Sequence, residues 1–314
     1  MRYALKKCAA LAATLLIMSF LTFLAFQVIP GDSAMKSLGD SATPEQVEAL
    51  REEMGLNKSL PARYGIWLKG ALRGDFGESA GFSMPVKELI RDKMKVTAAL
   101  AGLSLCLILV FSVPLGLTGI GRRSGRKGGF FSLLNQFVMA IPPFFLGMLI
   151  TLVFGLLLKW FVPGRFPGMN SSFLNIVSWM IFPAVAVAVP KIAMMVKFMR
   201  SSVFSQMNLN YVRTARSKGM TERRVLYAHV LKNAMIPVIT FLAMIIADIF
   251  AGSIVVEQVF NLPGMGRLLV VSIANRDFNV VQAIVLYIAS LVLVTNVIVD
   301  VLYHKLDPRL KLEQ

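Results

Sequence analysis

Long apolar runs separated by short polar ones make up most of this chain. Six of the runs reach the roughly 20 mostly apolar residues that a helical membrane span needs: about 8–29, 96–120, 132–158, 176–198, 236–256 and 280–302. They are too long and continuous for the period-two alternation of barrel strands, and only helices or closed barrels satisfy the backbone in lipid. The pattern therefore predicts an all-α, polytopic membrane protein with six transmembrane helices. Arg2, Lys6 and Lys7 precede the first run as they would in a signal peptide. That run is too long for a signal core, and no convincing small-residue cleavage site follows, so it is read as a retained helix. Pro114, Pro142, Pro143, Pro183, Pro190 and Pro237 fall inside runs or at their ends. They imply either a kinked, packed bundle or a cavity lined by broken helices.

Between the fourth and fifth runs lies a polar island, about residues 200–235, whose residues also pattern as structure. A short helix from about Leu209 to Ser217 would stop at Gly219, a residue suited to the left-handed position beyond a helix end. Thr221 would then cap a second helix, with Met220 and Val225 at the two staple positions around the cap. A loop with this much order is built to be presented to something. Ala215 and Gly219, four apart, leave a low-profile face where another surface could approach closely, with basic side chains around it.

Residues 30–95 form the one long extracytoplasmic segment, in which ten acidic and ten basic side chains cancel. Thr43, Pro44 and Gln46 spell a helix start with a capping box, and Gly55 can end that helix. A second amphipathic stretch presents Leu60, Tyr64, Trp67, Leu68 and Leu72, a face for the headgroup level, for neighbouring helices or for an external protein. The expected organisation is an N-terminal span with its extracytoplasmic segment over residues 1–95, then a five-helix core over 96–314 that carries the island and a short cytoplasmic tail.

Composition sharpens this picture. The chain has 314 residues, 56% of them hydrophobic, with a mean hydropathy of +0.67, far from a soluble composition. Its net charge of +16 could suggest nucleic acid, but the excess sits at the edges of spans, where anionic headgroups account for it. No nucleic-acid partner is expected; membrane lipid is. The N-terminus, the 121–130 loop, the 197–235 loop and the tail hold 18 basic residues, against 4 in the short opposite loops 159–175 and 257–279. Both termini are therefore expected in the cytoplasm. Cys8 and Cys106 each lie in an apolar run with no pairing or metal spacing, and read as packing residues.

No catalytic set is visible. His229 and His304 lack zinc-site spacing, no G-x-S-x-G turn occurs, and the glycine-basic stretch 119–129 does not match a nucleotide-binding loop because Gly128 follows Lys127. The chain reads as neither an enzyme nor a holder of metal, ATP or any other cofactor. Two charges stand out within the membrane: Lys191 in the fourth run and Asp248 in the fifth. A charge at mid-bilayer costs about 3 kcal/mol or more, so these residues form a buried pair or line a water-filled path, unless Lys191 snorkels to a headgroup. Glu257, just past the end of the fifth run, is the third candidate for a translocation path.

Ordered motifs along the chain carry a resemblance. "IPGDSA" follows the first run and "LRGDFGES" comes later in the segment. "YVRTARSKGM", "LKNAMIPVIT", "GSIVVEQVFNLPGMGRLL", "NRDFNVVQA" and "DVLYHKLDPRLK" follow in order. Together they make the chain resemble the membrane permease of an ATP-binding-cassette importer, of the dipeptide, oligopeptide and nickel group. The resemblance implies a MetI-like type I importer core in a bacterial cytoplasmic (inner) membrane, and a translocation pathway for peptides or for nickel or metal-chelate substrates. It implies three kinds of partner: a homologous second permease, two ATPase subunits that bind ATP and Mg, and an extracytoplasmic substrate-binding protein. It also implies that Tyr211, Arg213, Thr214, Ala215, Arg216, Lys218, Gly219 and Met220 couple the permease to the ATPase. The general importer pattern is Glu-Ala-Ala, three residues, Gly, nine residues, Ile-x-Leu-Pro. Here Gly219 and Leu231 match it, while Arg213, Thr214 and Ala215 fill the first triplet and His229 and Lys232 replace its Ile and Pro. An ion-coupled secondary transporter, with Lys191 and Asp248 in the ion path, is the alternative.

Overall fold

The computed structural model describes residues 2–28, 43–53, 57–118 and 126–306. The "IPGDSA" motif, Gly55, most of the glycine-basic stretch and the end of the "DVLYHKLDPRLK" motif lie outside them. Helices dominate: α1 (Arg2–Val28), α2 (Pro44–Glu53), α3 (Leu60–Leu72), α4 (Val86–Leu117), α5 (Arg126–Ala140), α6 (Pro143–Ile150), α7 (Phe173–Met207), α8 (Asn210–Ser217), α9 (Glu222–Val225), α10 (Leu231–Val259), α11 (Met265–Ala274) and α12 (Phe278–Leu306). Among the described residues, five helical stretches are long and apolar enough to cross a membrane. The expected third span is not continuous: its two halves, Gly129–Ala140 and Pro143–Leu157, meet at 92°. Pro142 and Pro143 cause the break, because proline disfavours helix in the residue before it and donates no backbone hydrogen bond. The second half ends in a wide π-helical turn, Thr151–Leu157.

The chain divides into two compact units, Met1–Lys95 with Gly264–Leu293 and Val96–Pro263 with Val294–Gln314. In the first, the capping box forms as its spacing requires. The Thr43 amide donates to Gln46 Oε1 at 3.0 Å, and the Gln46 amide donates to Thr43 Oγ1 at 3.4 Å. The aromatic face of α3 packs on α1: Tyr64 lies 5.3 Å from Phe20 and Trp67 lies 5.9 Å from Phe23, centroid to centroid. The Tyr64 hydroxyl shares a 2.8 Å hydrogen bond with buried Ser19. Helix packing thus takes up this face, while Leu60 and Leu72 at its ends stay exposed.

The same unit contains a hairpin that periodicity does not announce, Glu78–Ser79 paired antiparallel with Met84–Pro85. Two strands of two residues cannot hold themselves. A buried carboxylate far along the chain does it. Asp277 accepts hydrogen bonds from the Ser79 hydroxyl and from the Gly81 amide, the latter at 3.1 Å. The Phe82 amide donates back to Ser79 Oγ at 3.0 Å, and Asn279 donates to the Glu78 carbonyl at 2.8 Å. Below it, Val86, Leu89, Ile90, Leu268, Val280 and Ile284 form an apolar cluster.

In the second unit α7 is the central helix, with α5, α6 and α10 packed on it. Pro183 and Pro190 sit inside it and are buried. Gly147 lets α6 close on its neighbours, since a Cβ there would stand 3.1 Å from the Phe260 ring. Rings continue the core outward from this contact: Phe161 stacks on Phe182 at 4.3 Å and meets Trp179 edge-on at 5.8 Å.

The hairpin gives a test. Ser79→Ala removes the hydroxyl between Asp277 and the Phe82 amide, and losing a buried charge-assisted hydrogen bond costs about 1–3 kcal/mol. Amide exchange at Gly81 and Phe82 should accelerate by about tenfold to a hundredfold, with exchange in α7 unchanged. Unchanged protection of the hairpin would show that the Ser79 link to Asp277 does not hold it.

Candidate functional site

The polar island folds into two short helices across one tight turn. Helix α8 ends at Ser217, Lys218 closes it, and Gly219 takes φ = 76°, the left-handed conformation its position calls for. No other atom lies within 4 Å of where its Cβ would be, so the need for glycine is one of backbone conformation alone. The Gly219 amide donates to the Arg216 carbonyl at 2.9 Å, and the Met220 amide to that of Ala215 at 3.3 Å. These bonds tie off carbonyls that a helix end leaves unpaired. Thr221 stands at the N-cap of α9 with extended backbone, but its hydroxyl makes no capping bond. The staple residues do turn inward: Val225 is fully buried and Met220 packs on the core.

Across the turn, Arg216 reaches Glu222 with two bonds, Nε to Oε1 at 2.8 Å and a terminal nitrogen to Oε2 at 3.1 Å. This bond raises the Arg216 pKa above its ordinary value, so the guanidinium stays charged. Both side chains are largely exposed, which limits such a pair to about 0–1 kcal/mol of stability. It aligns the two helices more than it stabilises them. Glu222 was not among the candidates; its place in the first turn of a helix starting six residues beyond an arginine was the available signal.

The eight residues do not share one face. Arg213, Thr214, Arg216, Lys218 and Gly219 are exposed, whereas Tyr211 and Met220 are partly buried and Ala215 is 7% exposed within the apolar core beside Val212. The expectation of an open Ala215–Gly219 face is therefore corrected. An eight-residue helix with Val212 and Ala215 three apart presents that stripe to its own protein. The Tyr211 hydroxyl donates to Gln206 at 2.9 Å, bracing the start of α8 against the end of α7. Ser202 donates to the Ala234 carbonyl at 2.8 Å, bracing α7 against α10.

Deeper in the unit, Lys191 of α7 and Asp248 of α10 form an ion pair. They are unequally placed, with 5% of the lysine side chain exposed and 56% of the aspartate's. Gly252, one turn along α10, leaves room for the lysine: its Cβ would lie 3.7 Å from Nζ. Met244, Ala251 and Val255 share the exposed face of α10 with Asp248. Glu257 does not join them. It is fully buried about 14 Å further along the helix and accepts a 2.6 Å hydrogen bond from Thr97.

Comparison with known proteins places this arrangement. Residues 108–312 match the family described as binding-protein-dependent transport system inner membrane component, and residues 1–101 match its N-terminal counterpart. A Brucella abortus protein whose name assigns it as a peptide transport system permease is 35% identical over 307 residues, 98% of each chain. The oligopeptide transport system permease protein AppB of Bacillus subtilis is 33% identical over 312 residues, 98% of this chain and 99% of the relative. A Sinorhizobium fredii protein named as a peptide ABC transporter permease is 30% identical over 309 residues, 98% of this chain and 99% of its own. Two matched segments covering nearly the whole chain, on a bundle of apolar helices with a structured polar elbow, lead to one conclusion: this chain belongs to the binding-protein-dependent transport system inner membrane components, the permease subunits of ABC transporters.

Proposed function

We propose that the chain forms, with a homologous second permease, a translocation pathway for peptides that an extracytoplasmic binding protein delivers and two ATPase subunits drive. The observation that carries this reading is the elbow of α8, Gly219 and α9, charged outside and anchored inside. The substrate is taken as peptide, rather than nickel or a metal chelate, from the names of the relatives. ATP and Mg belong to the ATPase subunits, and both termini lie on their side of the membrane.

On this reading the elbow docks on the ATPase through Arg213, Thr214, Arg216, Lys218 and the Gly219 turn, with Tyr211, Ala215 and Met220 as its inner anchors. ATP moves a permease only by binding one ATPase arrangement better than another, and a soft contact would absorb that movement. Val212, Ala215, Val225 and Leu226 pack the elbow into the core and make the contact stiff. From Glu222 to Val259 the chain is one helical stretch of 38 residues. It leads about 39 Å from the elbow to Asp248.

Asp248 supports the pathway. A half-exposed carboxylate among Met244, Ala251 and Val255 cannot face hydrocarbon without a cost of about 3 kcal/mol. The α10 face carrying it is therefore assigned to the aqueous path between the two permeases, with Lys191 behind it as counter-charge. Glu257, buried against Thr97, serves as a structural support for that helix.

Three outcomes test these assignments. Reconstituted with its ATPase and binding protein, the complex should take up peptide only when ATP is hydrolysed and binding protein is present. Uptake that persists without ATP and collapses with an ionophore would overturn the reading in favour of ion coupling. Gly219→Val introduces strain of about 1–3 kcal/mol at the turn. It should keep insertion and subunit content while uptake falls and ATP hydrolysis continues; normal uptake would refute the coupling role. Third, the ion pair should respond unequally. Asp248→Asn strands a buried ammonium and should cost assembly about 3 kcal/mol, whereas Lys191→Met leaves a carboxylate that water can reach and should cost less. The double change should recover assembly yet alter uptake according to substrate charge. A larger defect in Lys191→Met, or unaltered charge preference in the double variant, would defeat this placement.

A further inference from the structure

A groove of about 480 Å³ lies between α4, α5 and α7, away from the exposed face of α10. Its walls are apolar, with Leu107, Phe111, Phe131, Val189 and Val196 among them. On α7 the lining runs from Val185 to Arg200, about 22 Å of helix. That exceeds the roughly 15 Å thickness of one leaflet's hydrocarbon. The polar side chain in its middle, Asn135, is engaged with the Ala193 carbonyl at 2.9 Å. Peptide backbone would find little to bond there.

One end differs. Arg200 lines it, donating from one terminal nitrogen to the Leu115 and Thr118 carbonyls at 3.0 and 3.2 Å. Those carbonyls belong to the last turn of α4 and the residue that follows it, so the guanidinium marks the level where the apolar helix stops. No carboxylate pairs with Arg200 among the described residues. Lys197, less than one turn away, is exposed. An apolar slot deep enough for one leaflet thus ends at an arginine that pairs with no carboxylate among the described residues, with Lys197 close by.

We infer that this groove is a binding site for one anionic phospholipid, with an acyl chain along α7 and the phosphate on Arg200. Arginine's planar donors suit a phosphate. Exposed Lys197 beside Arg200 favours a headgroup with net negative charge over a zwitterionic one. Unlike the elbow and the α10 face, the site takes no part in transport chemistry, so it stands whatever the transported substrate proves to be.

The test is native mass spectrometry of the assembled transporter in mild detergent, titrated with phosphatidylglycerol or with phosphatidylcholine of the same chains. The wild-type complex should hold phosphatidylglycerol about tenfold more tightly, because the choline cation of phosphatidylcholine offsets the phosphate charge and is repelled by Arg200 and Lys197. Arg200→Gln should abolish the preference and Arg200→Lys should keep most of it. Val189→Trp, which fills the slot, should remove the bound lipid while subunit content and melting temperature stay as in wild type. Equal binding of the two lipids, or a preference that survives both Arg200→Gln and Val189→Trp, would overturn the site. So would loss of a subunit from the Val189→Trp complex with phosphatidylglycerol retained, which would make the groove a protein interface.

Discussion

A lysine ammonium buried between apolar helices constrains everything packed around it. Lys191 has left water almost completely, and a stranded charge in such a place costs several kcal/mol. It can remain only if α10 presents Asp248 at that height and on that side of α7. The contact therefore fixes the rotation and the register of the two helices together. Pro190, beside Lys191, frees one backbone carbonyl in the preceding turn, and Gly252 on the facing helix leaves room for the lysine stem. Hydrophobic contacts would let the helices slide by a turn at modest cost; the ion pair would not. With α10 placed, the position of the elbow that precedes it follows.

The elbow depends on the opposite arrangement, charge outside and small apolar residues within. Val212 and Ala215 lock α8 to the core, the Arg216–Glu222 pair sets the angle between α8 and α9, and Gly219 makes the turn possible. A push on the exposed side would meet no loose joint before α10. Tyr211 and Ser202 add braces at the end of α7, so both helices of the ion pair are gripped near their polar ends. Stiffness in this region is a matter of packing and a few hydrogen bonds, not of the exposed ion pair, whose contribution is small.

Features set by local chemistry were legible in the sequence. The capping box of Thr43 and Gln46, the end of α8 at Ser217 and the left-handed Gly219 each follow from residues within four positions of one another. So does the aromatic stripe of α3, whose spacing required a surface to cover it. The features that were not legible depend on partners far away. The hairpin at 78–85 exists because Asp277 holds it from 198 residues along the chain. The unequal exposure of Lys191 and Asp248 depends on which faces α7 and α10 turn to each other. Ala215 looked available to a partner because nothing local distinguishes the inner side of so short a helix from the outer. Pro142 and Pro143 warned of a kink, but the 92° bend also needs room that only the packed neighbours define.

The entry to α10 shows why periodicity alone fails there. Leu226, Val230, Ala234 and Val238 are all buried, a strict four-residue repeat. In a regular α-helix each such step rotates the side chain by about 40°, so Leu226 and Ala234 would diverge by roughly 80°. Leu226–Val230 is instead a π-helical turn, with roughly 4.4 residues per turn, and a four-residue step there rotates by about 33° in the other direction. The two rotations nearly cancel over 226–234, and the apolar seam stays in line with the core. Below the wide turn the helix resumes with the face that carries Asp248 already aimed. A single extra residue in the helical winding thus reconciles two demands that a straight α-helix would set against each other: an elbow whose inner residues reach the core, and a membrane helix whose carboxylate meets Lys191.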